Sequence, residues 1–169
     1  MNKKYWIIAA IMVISTFFIA TGLYAGKDVK DVIKLEDKAY EKHTKGIVTF
    51  SHKKHMKEYA EKNPELYKNG CGECHHADKD GKAVPLKNLK EGDDVKPCIE
   101  CHKKPGYIKG KEARGLSKEQ RREYQANAFH DNCKGCHKAY NKKMKLKSKD
   151  KGAAPVTCKQ CHGGEDEKE

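Results

Sequence analysis

Beyond residue 25 the chain offers little hydrophobic periodicity, and its apolar residues gather in one place. The uncharged run Trp6 to Ala20 follows Lys3 and Lys4 and gives way to Thr21-Gly22-Leu23-Tyr24-Ala25. That order of basic, apolar and small residues marks an export leader, so residues 1–25 are expected to be a signal peptide and the mature chain to start near Gly26. Further on, a small strand pair is expected near Ile47 to Phe50. Ser51 as N-cap, His52 and His55 on one face, and Pro64 past the end predict a helix. A second helix is expected to open at Ser117, with Gln120 placed for a capping box, to run from Lys118 to Phe129 without Pro or Gly, and to close at His130. The rest reads as loop.

Composition sharpens this picture. From Gly26 onward, Ile, Leu, Val and Phe number 18 of 144 residues, and 34 basic side chains oppose 24 acidic ones for a charge of +10. A chain so charged and so poor in core-forming residues cannot bury enough apolar surface to offset its conformational entropy. Something other than its own side chains must supply the core.

The cysteines indicate what that is. All eight fall in one repeated pentapeptide: Cys71-Gly-Glu-Cys74-His75, Cys98-Ile-Glu-Cys101-His102, Cys133-Lys-Gly-Cys136-His137 and Cys158-Lys-Gln-Cys161-His162. C-x-x-C-H is the attachment signature of c-type haem. Thiols at i and i+3 lie on one side of a helical turn and reach two porphyrin vinyl groups, while the adjacent His reaches the iron. Disulfides are the usual use of an even cysteine count in an exported chain, but they do not require four identical pairs each followed by His. Structural zinc does not require that His either. Four covalently bound haems follow, and each is an apolar plate that replaces missing side chains.

Four irons with a protein ligand on both faces need eight donors. His75, His102, His137 and His162 supply four. Five histidines remain, His43, His52, His55, His76 and His130, against only two methionines, Met56 and Met144, in the mature chain. Neighbours on a turn point apart, so His76 cannot share an iron with His75 and must face another haem. His130 stands three residues before Cys133. His43, in a charged segment, reads as a solvent-exposed bystander. The resulting all-bis-histidine ligation implies low-spin iron of low potential with no open position.

These motifs together resemble a known family, the tetrahaem class III c-type cytochromes (cytochromes c3) of sulfate-reducing and related bacteria. The resemblance rests on Val48-Thr-Phe-Ser-His52-Lys-Lys-His55, the doubled His75-His76, Lys96-Pro-Cys98-Ile-Glu-Cys101-His102 and Phe129-His130-Asp-Asn-Cys133-Lys-Gly-Cys136-His137, and spans about Gly46 to Gly163. With haems numbered by chain order, it implies that His52 is the distal ligand of haem I, His76 of haem II, His55 of haem III and His130 of haem IV. The expected fold is mainly α with long loops and little regular structure, a compact multihaem domain over residues 46–163 with a short two-stranded β element near its start. A charged extension (26–45) precedes it, and a disordered acidic tail (164–169) follows.

Charge bears on partners. Each ferric haem with ionised propionates adds about −1, which leaves the oxidised holoprotein near +6. Nucleic acid is not expected, since no basic-aromatic motif appears and an exported protein rarely meets any. Lys138 to Lys151 holds seven lysines against Asp150 alone. The resemblance implies that lysines near haem IV receive electrons from a periplasmic hydrogenase or formate dehydrogenase, for delivery to membrane redox complexes. Replacing Lys142, Lys143, Lys145 and Lys147 by Glu is the corresponding test. Two other readings stand beside this electron carrier. An uncleaved Trp6 to Ala25 is long enough to span a bilayer, as in membrane-anchored tetrahaem quinol dehydrogenases. A multihaem reductase would need one iron with an exchangeable position. With the leader removed, no membrane insertion and a periplasmic location are expected.

Overall fold

The computed structural model describes residues 29–80 and 82–163, so the leader and the acidic tail lie outside the described residues. Among the described residues, contacts set Val29 and Glu91–Asp94 apart from the remainder. Every element below belongs to that remainder. Among the described residues no helix is long and apolar enough to cross a membrane; Trp6 to Ala25 is not among them.

The chain is helical in short pieces, with two small antiparallel sheets. Strand β1 (Val32–Lys34) pairs with β2 (Thr49–Ser51), and the register sets Ile33 opposite Phe50. β1 thus comes from the charged extension. Beyond the ladder, Leu35 N–H donates to the Val48 carbonyl at 2.9 Å and Lys53 Nζ meets Asp31 Oδ2 at 3.3 Å. Asp37 Oδ2 also accepts from Gln125 Nε2 at 3.1 Å.

After β2 the chain turns helical at His52, but Lys54–Tyr59 winds as a π-helix before a last α-helical turn, α1 (Ala60–Lys62). This corrects one expectation. Ser51 does not cap the helix with its side chain; it ends β2, and its carbonyl accepts from His55 Nδ1 at 2.8 Å. The rings of His52 and His55 both lie against Phe50, at 5.9 and 4.6 Å between centroids. Two 3-10 turns follow, Pro64–Leu66 and Gly70–Glu73. A second hairpin, β3 (His76–Lys79) with β4 (Lys82–Pro85), was not expected.

The C-terminal half holds α2 (Cys98–Cys101), α3 (Lys118–Arg122), α4 (Gln125–Lys143) and α5 (Cys158–His162). The capping box at Ser117 forms, with Ser117 N–H to Gln120 Oε1 at 2.8 Å and Gln120 N–H to Ser117 Oγ at 3.2 Å. Yet the expected helix breaks at Glu123–Tyr124, because Lys104 inserts there. Its N–H donates to the Glu123 carbonyl at 3.0 Å and its carbonyl accepts from Gln125 N–H at 2.9 Å. The chain then re-enters helix, and α4 does not close at His130 but carries the whole third motif through 19 residues.

Packing matches the composition. Among the described residues Ile108 is the one apolar side chain that is buried, and the other buried side chains are Asn63, Gln125 and Asn141. No described side chain is fully enclosed. The side chains alone build no hydrophobic centre.

Candidate haem-binding centres

All four C-x-x-C-H motifs sit on helical turns: a 3-10 turn for Cys71–His75, α2 for Cys98–His102, the middle of α4 for Cys133–His137, and α5 for Cys158–His162. The turns have different supports. In the first, Glu73 Oε1 accepts from Asn69 N–H and Nδ2 at 3.0 and 2.8 Å. The last is opened by a capping box, with Thr157 N–H to Gln160 Oε1 at 3.2 Å and Gln160 N–H to Thr157 Oγ1 at 3.4 Å.

The fold brings the imidazole of each motif next to one from elsewhere in the chain, with the ring planes tilted or edge-on. His52 lies 6.4 Å from His75, His76 5.9 Å from His102, His55 6.2 Å from His137, and His130 6.1 Å from His162, centroid to centroid. A metal–nitrogen bond of about 2.0 Å on each side, with about 1.1 Å from nitrogen to ring centre, sets two trans imidazoles on one metal about 6.2 Å apart. The four separations bracket that value, so the donor sets fit an iron between each pair. His43 belongs to none of them. It stacks flat on Tyr40, centroids 5.3 Å apart and planes 13° from parallel, and is half-buried.

Backbone carbonyls orient most of these rings. Nδ1–H donates to a carbonyl from His55 (Ser51, 2.8 Å), His102 (Arg122, 2.6 Å), His137 (Pro155, 2.7 Å) and His162 (Gly46, 2.8 Å). A carbonyl can only accept, so in each ring the proton is fixed on Nδ1 and the Nε2 lone pair is left for a metal. His76 makes a longer contact with the Ala77 carbonyl, 3.4 Å. His130 Nδ1 is buried with no hydrogen-bond partner, and the edge of Tyr107 packs on its ring at 4.7 Å. Burial above all holds His75, His130 and His137 below the ordinary imidazole range; at His130 Lys134 adds to it, and at His137 the bond to the Pro155 carbonyl works against it. They are therefore neutral near pH 7, the protonation state a metal ligand needs.

The thiols do not resemble activated nucleophiles. Burial, then Cys133 and Cys136, push Cys74 up to about 12, and burial also raises Cys98, Cys133, Cys136 and Cys161. A reactive cysteine shows the opposite shift. No disulfide joins any of the eight.

On the lysine-rich stretch, Lys138, Lys142, Lys145, Lys147, Lys149 and Lys151 are exposed. Lys143 differs, since its ammonium is held by Glu65 and by Asn63 Oδ1. Sequence reasoning missed the residues that hold the rings, namely the four carbonyls and Tyr59 and Tyr107, which pack edge-on against His55 and His130. A carbonyl has no residue-type signature, so only the fold could identify these acceptors. The profile of the class III cytochrome c family matches residues 28–162. No curated protein matches the chain.

Proposed function

The chain belongs to the class III cytochrome c family, a family of electron-transfer cytochromes, and from that premise we propose a tetrahaem, all-bis-histidine carrier. Haems I to IV attach at Cys71/Cys74, Cys98/Cys101, Cys133/Cys136 and Cys158/Cys161. The iron pairs are His75 with His52, His102 with His76, His137 with His55, and His162 with His130. One observation carries this reading: four His–His separations of 5.9–6.4 Å, each joining one motif to one remote histidine. The haems supply reversible one-electron chemistry. The protein supplies thioether anchors, two neutral imidazoles per iron, and carbonyls that hold the rings.

With one histidine on either side, each iron would keep no position for a substrate, and the protein would serve as an electron carrier. The leader-like run Trp6 to Ala20 favours a periplasmic location, and the family resemblance favours a carrier that accepts electrons from a hydrogenase or formate dehydrogenase and passes them to membrane redox complexes. The lysines of Lys138 to Lys151 are the docking patch, favoured by long-range attraction to an acidic partner. Because Lys143 is engaged by Glu65, the informative substitutions are Lys142, Lys145, Lys147 and Lys149 to Glu. They are expected to slow reduction by hydrogenase at low salt, and an unchanged rate would remove the patch from the account.

Intact mass of the periplasmic protein from a cytochrome-maturing host tests the whole reading. The expected mass is residues 26–169 plus four haems, with a visible spectrum insensitive to carbon monoxide. A retained leader would support the membrane-anchored alternative, and a carbon monoxide adduct would support a reductase.

A further inference from the structure

Helix α4 carries ligands for two centres on one face: His130 and His137 are seven residues apart, two turns of helix and about 10 Å along the axis. An asparagine brackets each of them, Asn127 one turn before His130 and Asn141 one turn after His137. Both asparagines use the same device. Asn141 Oδ1 accepts from Ala154 N–H at 2.7 Å and Asn141 Nδ2 donates to the Ala154 carbonyl at 2.9 Å. Asn127 Oδ1 accepts from Ile108 N–H at 2.9 Å and its Nδ2 donates to the Ile108 carbonyl at 3.0 Å. A carboxamide has its donor and acceptor side by side in one plane, so it grips both polar groups of one loop residue as a neighbouring strand would.

In each case the residue next to the gripped one touches an imidazole. Pro155 follows Ala154, and its carbonyl accepts from His137 Nδ1 at 2.7 Å. Tyr107 precedes Ile108 and sets its ring edge on His130. Proline has no N–H, so Pro155 cannot be fixed through a donor of its own; the grip on Ala154 holds the peptide unit that enters Pro155, and the proline ring, with its fixed φ, carries that placement to the carbonyl one unit further on. The result is a closed circuit, His137 to Pro155 to Ala154 to Asn141 and back along one turn of α4. Asn141 is 6 % exposed, as a side chain held from both ends should be.

We propose that Asn141 is a positioning residue for the third centre. Through Ala154 and Pro155 it keeps the carbonyl on His137 Nδ1, and so raises the basicity of His137 towards iron. Asn127 serves the fourth centre in the same way, but what it delivers is an aromatic edge, and His130 Nδ1 has no acceptor. A ligand whose Nδ1–H is hydrogen-bonded donates more strongly and stabilises the ferric state. At the third centre both ligands, His55 and His137, have such a bond; at the fourth only His162 does. The third haem therefore has the lower midpoint potential of the two.

This inference rests on the bis-histidine reading, which the haem count and the low-spin spectrum of the unaltered holoprotein test separately. The inference itself is tested by Asn141→Leu in the holoprotein, with individual haems followed by NMR during a redox titration. The expected result is a positive shift of the third haem's midpoint and faster deuterium exchange of His137 Nδ1–H, with the first and second haems unmoved. Asn127→Leu should leave the third haem in place and alter the fourth. Should Asn141→Leu fail to accumulate, the uncharged Asn141→Ser, whose short side chain cannot reach both polar groups of Ala154, is expected to move the same two readouts in the same direction. A loss of thermal stability with neither readout moved, or an equal shift of all four haems, would overturn the proposal.

Discussion

The first and third attachment motifs have the same cysteine and histidine pattern on unlike supports. The third lies within 19 residues of helix, so its own backbone ladder holds Cys133, Cys136 and His137 in register. The first has only the 3-10 turn Gly70–Glu73 and is held from outside. Leu86 N–H donates to the His75 carbonyl at 3.1 Å, and Gly72 packs so closely that a Cβ there would lie 2.7 Å from the Leu86 carbonyl oxygen. The contrast teaches that C-x-x-C-H needs one helical turn of its own and takes the rest of its rigidity from whatever the neighbouring chain provides.

The largest test of that contrast removes what both motifs share. Chain produced without haem attachment is expected to lose its cooperative thermal transition, forfeiting the roughly 5–15 kcal/mol typical of a folded domain, because Ile108 is its only buried apolar side chain among the described residues. Circular dichroism would show this, and a cooperative melt of the haem-free chain would refute it. Next in size is Gly72→Val, which forces the first turn off Leu86 and is expected to cost about 1–3 kcal/mol in denaturant unfolding of the holoprotein. The same type of change in the third motif should have the opposite sign. Nothing lies within 4 Å of a Cβ on Gly135, so Gly135→Ala is expected to stabilise α4 by about 1 kcal/mol.

The smallest effect belongs to the ion pair between Lys143 on α4 and Glu65. The hydrogen bond from Lys143 holds Glu65 below the ordinary carboxylate range, so any stabilisation is present above that range and is lost as pH falls through it. Thermal melts of Lys143→Met should differ slightly from those of the unaltered protein at neutral pH and low salt. Both acid and salt should close the gap.

The motifs were legible because thioether attachment demands a fixed spacing of residue types, and spacing is a property of the sequence. The capping box at Ser117 was legible for the same reason. The hairpin β3–β4 had a usable signal, Asp80-Gly81 between Lys79 and Lys82, with Asp80 at a φ of 53°, which suits a tight hairpin turn; the surrounding charge concealed it. The break before α4 had no such signal, because the cause is Lys104, 20 residues upstream of Tyr124. The pairing of β1 with β2 was equally hidden in a segment that reads only as charged. What sequence reasoning could not reach was the set of carbonyls behind the imidazoles, since Ser51, Arg122, Pro155 and Gly46 share no side-chain chemistry. Gly46 does leave one trace: a Cβ there would fall 2.2 Å from the His162 carbonyl oxygen, so only glycine lets the two backbones meet.

The central claim is that each of the four histidine pairs holds one iron. Near-infrared magnetic circular dichroism of the fully oxidised holoprotein tests it most directly, because the charge-transfer band reports the pair of axial ligands. Bis-histidine intensity equal to four haems per chain is expected. A histidine–methionine band, a high-spin component, or bis-histidine intensity for fewer than four haems would contradict it.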